Sequence, residues 1–322
     1  MNETEGHPRV LVADKLHGEA MAALEERYDV TAKEVSPAEL LALIEAYEAL
    51  IVRSRTKVTG AVIQRGKRLR VVARAGVGIE NIDVEAATER GIMVVNAPAG
   101  SSQSVAEHAV GLMLCLARRI PEADRSMKEG RWEKAALRGT ELAGKVLGLI
   151  GSGRIGSEVA GICQAMGMSV IAFDPYLPKE RAESRGIRLT TLEEVLQMSD
   201  FVSVHAALTE ETQHMISHPQ LSMMKRTAYL INCARGRIVD EEALTMSLQE
   251  GMIAGAGLDV YEREPPSGSP LLELDNVVLT PHIAASTREA QRRIGLLIVE
   301  QLIKALEGEQ PEFLVNREAL SL

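Results

Sequence analysis

The most informative segment of the sequence is Val146-Leu-Gly-Leu-Ile-Gly151-Ser-Gly153-Arg-Ile-Gly156. Its first five residues are typical of a buried parallel strand, and three glycines with the spacing G-x-G-x-x-G follow directly. A helical pattern over residues 158–166 comes next. Glycine lets the turn tighten and lets the backbone approach a pyrophosphate, whose charge meets free N–H groups at a helix N-terminus. The stretch therefore predicts a dinucleotide-binding α/β unit in which Gly151, Gly153 and Gly156 contact the cofactor.

Asp174 supplies a carboxylate at the position where a dinucleotide-binding unit binds the ribose. Asp174 follows the apolar run of residues 170–173 and lies 18 positions after Gly156. There it would accept hydrogen bonds from a ribose hydroxyl, and no arginine follows it directly to receive a 2′-phosphate, which favours NAD. The alternative is an ordinary glycine-rich turn between a strand and a helix, and the position of Asp174 makes that interpretation the weaker one.

Strand and helix patterns alternate on both sides of this motif, as expected for parallel sheets covered by helices. The strands that we predict before it are residues 10–13, near 30, 49–52, 69–73 and 93–96, with helices at 17–27, 37–47, 58–65 and from 84. The strands that we predict after it are 170–173, 201–205, 229–232, 255–259 and 277–280. Longer helices are expected at 104–120 and 286–306, and the second of them should pack back on the first domain.

The predicted fold class is therefore α/β, with two Rossmann-like, doubly wound parallel-sheet domains. We expect a discontinuous, flavodoxin-like substrate-binding domain over residues 1–98 plus 287–322, and an NAD-binding Rossmann domain over residues 99–286. The active site is expected in the cleft between the two domains.

Composition excludes several classes of function. The 322 residues are 46% hydrophobic and carry a net charge of −9, so the chain has no basic field for nucleic acid or for an anionic membrane. An anionic ligand must be held by local arginines. Three widely spaced cysteines, and the lack of a signal-like N-terminus or a long apolar run, favour a cytoplasmic protein. We expect no metal, because no histidine pair has the spacing of metal ligands. The histidines other than His282 are interpreted as structural or surface groups, among them His108, His205, His214 and His218.

Three polar residues follow later strands of the second series, where ligands of open parallel sheets gather. Arg235 can grip a carboxylate with two hydrogen bonds. His282 can exchange a proton with a substrate hydroxyl near neutral pH, and Glu264 can favour the charged imidazole and orient it. Taken singly, each also has a plain interpretation as a surface charge, a loop residue or a structural histidine. Together they predict an acid/base pair beside a carboxylate anchor.

Several motifs occur together and in one order along the chain, and in this combination the sequence resembles the D-isomer-specific 2-hydroxyacid dehydrogenases. The similarity spans nearly the whole chain. Its motifs are Ile51-Val-Arg-Ser-Arg-Thr-Lys, Arg74-Ala-Gly-Val-Gly, Gly151-Ser-Gly-Arg-Ile-Gly, Asn232-Cys-Ala-Arg-Gly-Arg-Ile-Val-Asp-Glu, Leu258-Asp-Val-Tyr and Pro281-His-Ile-Ala-Ala-Ser-Thr. Within the family, the chain is most similar to the members that oxidise D-3-phosphoglycerate to 3-phosphohydroxypyruvate with NAD.

The resemblance implies a role for each matching residue. Arg235, Glu264 and His282 would be the catalytic arginine, glutamate and histidine. The other residues that the resemblance assigns to the cofactor are Arg154 and Ile155 at the phosphates, and Cys233, Ala234 and Asp259 near the nicotinamide. The residues assigned to the substrate are Gly76, Val77 and Gly78 at its carboxylate, and Arg53 and Arg74 at its phosphate.

Two arginines suit a dianionic tail better than an alkyl one, but both could also be surface charges. The alternative substrates are hydroxypyruvate, glyoxylate, lactate or pyruvate, and sulfolactate. A second class of function is a non-catalytic NAD(H) sensor, like corepressors of this fold.

The resemblance also predicts a homodimer through the nucleotide domain, with an arm over residues 104–142. The sequence departs from the family pattern at three positions. Val77 and Ala206 replace threonines of some relatives near the cofactor, which would at most weaken those contacts. Lys134 stands where an arginine of the neighbouring subunit would reach the phosphate, so that contact is not expected with the same strength. Because the sequence ends soon after Asn316, we expect it to lack the C-terminal regulatory domains of longer members.

Overall fold

The computed structural model describes residues 7–317 and Leu320. Over these residues strands and helices alternate along the chain. The strands are β1 (Arg9–Val12), β2 (Asp29–Ala32), β3 (Ala49–Val52), β4 (Val71–Arg74), β5 (Met93–Asn96), β6 (Val146–Ile150), β7 (Ser169–Phe173), β8 (Ile187–Leu189), β9 (Phe201–Val204), β10 (Tyr229–Asn232), β11 (Gly255–Leu258) and β12 (Val277–Leu279). The α-helices are α1 (Gly18–Glu25), α2 (Pro37–Leu43), α3 (Gly60–Arg65), α4 (Val84–Glu89), α5 (Ser102–Arg118), α6 (Ile120–Lys128), α7 (Arg154–Ala165), α8 (Lys179–Glu183), α9 (Leu192–Met198), α10 (His218–Met223), α11 (Glu241–Gln249) and α12 (Arg288–Glu307).

The chain divides into two compact units, which we describe separately. Among the described residues, unit 1 comprises 7–101, 286–317 and Leu320. Its five parallel strands have the order β2-β1-β3-β4-β5. This is the flavodoxin-like order, in which the direction of winding reverses between β1 and β3. The sheet is buried on both faces, with α1 and α12 covering one side, and all four residues of β3 are buried.

Unit 2 comprises residues 102–285 and contains seven parallel strands in the order β12-β11-β10-β9-β6-β7-β8. Winding reverses between β6 and β9, which is the switch point where α/β sheets of this order bind dinucleotides. One core includes the apolar residues of α5 and α7, and the other includes those of α9 and α11. The prediction of two parallel α/β sheets is confirmed.

Local signals explain how the returning helix α12 begins and ends. Thr287 caps its first turn by accepting a hydrogen bond from the backbone N–H of Ala290. At the other end Gly308 takes a left-handed conformation with a φ of 81°, which stops the helix. The helix therefore belongs to unit 1 although it follows unit 2 in sequence.

Several elements differ from the sequence-based expectation, and strands β1 and β4 are displaced by one or two residues. Helix α7 begins at Arg154, directly after the second glycine of the motif, rather than at residue 158. The helix expected over 104–120 ends at Arg118, because Arg119 has a φ of 53° and starts α6 in a new direction. Strand β8, of only three residues, was not predicted.

No helix in residues 7–317 is long and apolar enough to cross a bilayer. The same part of the chain contains no cluster of three or more His, Cys, Asp or Glu side chains suited to a metal ion.

Candidate functional site

The glycine turn lies at the switch point of the unit 2 sheet. Gly151 has a φ of 87°, and a Cβ there would lie 2.8 Å from the backbone nitrogen of Ala206, just beyond β9. A Cβ on Gly156 would collide with the carbonyl oxygen of Gly151, whereas one on Gly153 would meet nothing within 4 Å. The first and third glycines therefore close the turn, and the second keeps its outer side open at the N-terminus of α7.

This cradle fits a dinucleotide. Arg154 and Ile155 form the start of α7, where backbone N–H groups have no helical partner. Two buried polar atoms beside the turn, Oγ of Ser152 and Nδ1 of His205, have no hydrogen-bond partner among the described residues. Burial lowers the pKa of His205 to about 4, so its imidazole is neutral at physiological pH.

Asp174 stands just beyond β7 and braces the same turn. Its carboxylate accepts hydrogen bonds from the backbone N–H groups of Ser152 at 2.7 Å, Tyr176 at 3.0 Å and Leu177 at 3.2 Å. A carboxylate offers about four acceptor positions, so a ribose hydroxyl can still donate to this one. The side chain thus shapes the turn as well as suiting the ribose.

Arg235 lies in the loop after β10, and the buried side chain of Asn232 fixes the backbone of this loop. Asn232 donates from Nδ2 to the carbonyl oxygen of Arg235 at 3.0 Å, and its Oδ1 accepts from the backbone N–H of Ala234 at 3.0 Å. Cys233 and Ala234 are buried in this loop, and the guanidinium of Arg235 donates to the carbonyl of Ala234 at 2.8 Å. Burial raises the pKa of the Cys233 thiol, so it is not a nucleophile here.

His282 and Glu264 form the predicted pair. Nδ1 of His282 lies 2.7 Å from Oε2 of Glu264, and both side chains are partly exposed. The hydrogen bond to Glu264 raises the pKa of His282 against the opposing effect of burial, while Arg235 lowers it slightly. Because Nδ1 faces the carboxylate, Nε2 is the nitrogen that can exchange a proton with a substrate.

Tyr261 holds both members of this pair. Its backbone N–H donates to Oε1 of Glu264 at 3.3 Å, and its hydroxyl donates to the carbonyl of Thr280 at 2.9 Å. Burial raises the pKa of this hydroxyl to about 12, so it remains a donor. A Cβ on Gly236 would collide with the Tyr261 carbonyl, which shows how closely the Arg235 loop approaches.

Asp259 is fully buried beyond β11 and organises the turn that carries His282. It accepts hydrogen bonds from the Thr280 hydroxyl at 2.6 Å and from the backbone N–H groups of Ile283 at 2.9 Å and Ala284 at 2.8 Å. Burial alone would raise the pKa of Asp259, but these hydrogen bonds and His108 outweigh it and lower the pKa. The carboxylate therefore stays ionised in the core.

Unit 1 presents its predicted residues at the carboxyl edge of its own sheet. Arg53 follows β3, and its backbone N–H donates to the buried carboxylate of Asp14 at 2.7 Å. Arg74 ends β4, and its Nη1 donates to the carbonyl of Ala75 at 3.3 Å. A Cβ on Gly76 would collide with that guanidinium, so the glycine gives Arg74 its position. Val77 follows Gly76, and its carbonyl oxygen accepts a hydrogen bond from Nδ2 of Asn96 at 2.7 Å. Gly78 comes directly after Val77.

Three residues that support the site from behind are not predicted in that role by the sequence. Asn232 and Tyr261 lie within the family motifs, and the expectation for His108 is a structural or surface group. The available signal was the pair Ser104 and His108, two polar residues four positions apart on an otherwise apolar helix.

A dinucleotide turn, a histidine–glutamate pair and an arginine all stand at the carboxyl edge of one parallel sheet. This combination defines the class of NAD-dependent oxidoreductases. Residues 110–284 match the family model described as "D-isomer specific 2-hydroxyacid dehydrogenase, NAD binding domain". The chain is also 49% identical over 303 residues to the hydroxypyruvate reductase of Thermotoga maritima, covering 92% of this chain and 98% of that protein. It therefore belongs to the D-isomer-specific 2-hydroxyacid dehydrogenase family.

Other similar proteins differ in length and name. The chain is 50% identical over 310 residues to the D-3-phosphoglycerate dehydrogenase of Methanocaldococcus jannaschii, covering 96% of this chain but only 59% of that protein. Among solved structures, D-lactate dehydrogenase from Aquifex aeolicus, complexed with NAD and lactic acid, is 31% identical with a TM-score of 0.83, covering 94% of this chain and 96% of that one.

Proposed function

We propose that this chain oxidises D-3-phosphoglycerate to 3-phosphohydroxypyruvate. The observation that carries the proposal is the 2.7 Å contact between His282 Nδ1 and Glu264 Oε2, next to the Arg235 loop at the edge of the NAD-binding sheet. NAD, when bound, takes the hydride that leaves C2 of the substrate. The turn at Gly151–Gly156 and the first N–H groups of α7 would hold the pyrophosphate, and Asp174 would hold the ribose.

Each catalytic residue has one task in this reaction. Nε2 of His282 takes the proton of the C2 hydroxyl as the carbonyl forms. Glu264 stabilises the resulting imidazolium through Nδ1, and Arg235 binds the substrate carboxylate and polarises the adjacent oxygen. Cys233, Ala234 and Asp259 would lie on the nicotinamide side of the cofactor. In the reverse direction, the charged His282 returns its proton to the alkoxide.

Arg53 and Arg74 bind the phosphate tail, and the backbone of Gly76, Val77 and Gly78 faces the substrate carboxylate. The relatives named D-3-phosphoglycerate dehydrogenase support this choice of tail. Hydroxypyruvate is the second candidate substrate, because the relative named hydroxypyruvate reductase is matched over 98% of its own length. The two acids differ in the tail that the arginines would bind. The cleft expected from the sequence remains a prediction.

The experiment is a spectrophotometric panel of acids with and without phosphate, measured for the wild type, Arg53→Ala and Arg74→Ala. Loss of either arginine should raise KM steeply for 3-phosphoglycerate and hardly change it for hydroxypyruvate. Equal effects on both acids would assign the arginines another role. His282→Ala should abolish turnover while NADH binding persists; unchanged turnover would remove the mechanism, and absence of any turnover in the wild type would favour an NAD(H) sensor.

We further propose a cytoplasmic homodimer. Its support is that three large apolar side chains on and just after α6, those of Ile120, Met127 and Trp132, are exposed; we call this region the α6 surface. The three cysteines are free thiols, which is the normal state in a reducing compartment. Neither nucleic acid nor a membrane is a proposed partner, since the net charge is −9.

A further inference from the structure

We call residues 280–284 the His282 turn. Helix α5 contacts both the first and the last residue of this turn. Ser104 donates from Oγ to the carbonyl of Ala284 at 2.7 Å, and this contact is buried. His108, one helical turn further on, places Nε2 2.9 Å from Oγ1 of Thr280 and 3.5 Å from Oδ1 of Asp259. Residues at i and i+4 share a helix face, so both side chains reach the same turn from one side.

The directions of these hydrogen bonds follow from counting protons. Asp259 is ionised and only accepts, so the single hydroxyl proton of Thr280 goes to its Oδ1. Oγ1 of Thr280 must then accept from His108, which assigns a proton to Nε2 of that imidazole. His108 therefore begins a chain of donors that runs through Thr280 to Asp259, and Asp259 in turn accepts from the N–H groups of Ile283 and Ala284.

The His282 turn needs such support because His282 itself is strained. Its φ is 53°, a left-handed conformation that is unfavourable for a residue other than glycine. Such a residue persists only where its surroundings over-determine it. The two backbone bonds to Asp259 come directly after His282 and fix the direction in which the imidazole leaves the chain.

We propose that His108 is a positioning residue for the acid/base pair: by donating through Nε2 to Thr280, it keeps Asp259 aligned on the His282 turn and so keeps His282 against Glu264. His108 does not touch the substrate. The inference rests on the proposed function for its kinetic consequence, but its structural consequence, the contact between His282 and Glu264, can be measured without any substrate.

The test compares His108→Leu, which removes the donor, with His108→Gln and His108→Asn. The side-chain amide of glutamine reaches about as far as imidazole Nε2, and that of asparagine only about as far as Nδ1. For His108→Leu and His108→Asn we expect kcat to fall by up to about 100-fold, the loss associated with a displacement of about 1 Å, with little change in KM for the acid. His108→Gln should restore kcat. His218→Leu, which removes an exposed histidine at the start of α10, is the matched control and should behave as the wild type.

A second readout follows the imidazole of His282 by NMR titration of histidine-labelled protein, assigned through His282→Ala. The charged groups around this imidazole are Glu264, Asp259 and Arg235. In the wild type its pKa should lie above the ordinary histidine value, and in His108→Leu it should fall because the contact with Glu264 loosens. His108→Gln should keep the raised value. This readout remains valid if no acid in the panel is turned over, an outcome that would refute only the proposed function.

Two results would overturn the positioning role. One is a folded His108→Leu protein with wild-type kcat and an unchanged His282 pKa. The other is a His108→Gln protein as impaired as His108→Leu in both readouts. If His108→Leu does not fold, Thr280→Val removes the same relay and Thr280→Ser preserves it. A His282 pKa that is unchanged in Thr280→Val would then count decisively against the inference.

Discussion

At the scale of single residues, the protonation of His282 should control the pH dependence of turnover. The imidazole must be neutral to take the hydroxyl proton, so kcat/KM for the hydroxy acid should fall as the pH drops below the His282 pKa. The hydrogen bond that His282 donates to Glu264 is the main cause that raises this pKa. In Glu264→Gln the pKa should fall, and the acidic limb of the profile should move to lower pH while kcat decreases.

Initial rates of NADH formation at saturating NAD, measured from mildly acidic to alkaline pH, check this direction. Reduction of the oxo acid gives the internal control, because this direction needs the charged imidazole. The alkaline limb of its pH profile should therefore also move to lower pH in Glu264→Gln. An acidic limb that stays in place in Glu264→Gln would show that another group is the base.

A second residue-scale prediction concerns Gly76. Alanine there would put a Cβ into the guanidinium of Arg74, at a position whose φ is 155°. Arg74 must then move, so Gly76→Ala should raise KM for 3-phosphoglycerate in the same sense as Arg74→Ala. Steady-state kinetics on the phosphorylated acid and on hydroxypyruvate make the comparison. A KM for 3-phosphoglycerate that matches the wild type would separate the glycine from phosphate binding.

The sequence predicts the residues at strand ends better than the residues behind them. Arg235 and His282 could be chosen because ligands gather beyond parallel strands, and that rule needs only the order of the elements. The role of His108 could not be predicted in this way, because its partner Thr280 is 172 positions away in the chain. The hydrogen bond between them exists only once α5 packs under β11 and β12.

At the scale of elements, the phosphate turn depends on how tightly α7 follows β6. Gly156→Ala would push a Cβ into the Gly151 carbonyl, and overpacking of this kind costs about 1 to 3 kcal/mol. We therefore expect the Kd for NADH to rise by about tenfold or more. Gly161→Ala lies in the same helix with nothing within 4 Å of the added Cβ, so it is the matched control.

Fluorescence titration with NADH and thermal unfolding separate the two variants. Gly161→Ala should leave the Kd unchanged and raise the free energy of unfolding by about 0.5 to 1 kcal/mol, because alanine replaces glycine within a helix. If Gly156→Ala bound NADH as tightly as Gly161→Ala does, the close approach of α7 to the turn would not matter for the cofactor.

Apolar runs predicted where most strands lie but not always where they end. Strands β3, β5, β6 and β10 have the predicted bounds, whereas β1 and β4 are displaced by one or two residues, because strand ends are set by pairing with the neighbouring strand and not by composition. Strand β8 has only three residues with Arg188 in the middle, so its composition carries no such run. The break at Arg119 is equally hidden, because a left-handed arginine has no sequence signature.

At the scale of the whole molecule, two independent sheets each place charged or polar residues at their carboxyl edge. Arg53 and Arg74 follow adjacent strands of unit 1, and Arg235 and His282 follow strands of unit 2. The alternation of elements predicts both sheets, since right-handed crossovers leave few other ways to order parallel strands. The order β12-β11-β10-β9-β6-β7-β8 then follows from a switch point at the glycine turn.

The proposed homodimer can be tested on its exposed apolar surface. Met127 is 55% exposed and Trp132 is 77% exposed, and a second copy that covered them would remove this apolar area from water. Burying a methionine contributes about 1.5 to 3 kcal/mol, and a carboxylate in its place would be buried without a partner. Met127→Glu should therefore convert a dimer into a monomer, as measured by light scattering after size-exclusion chromatography.

Leu272 provides the matched control, because it is 52% exposed in unit 2 but lies on the 3-10 turn of residues 270–273, outside the α6 surface. Leu272→Glu should remain a dimer at the same concentration. Since the two substitutions add the same charge at similar exposure, a general effect of charge on association would shift both proteins equally. A wild type that is monomeric at micromolar concentration, or a Met127→Glu variant that stays dimeric, would place the interface elsewhere or remove it.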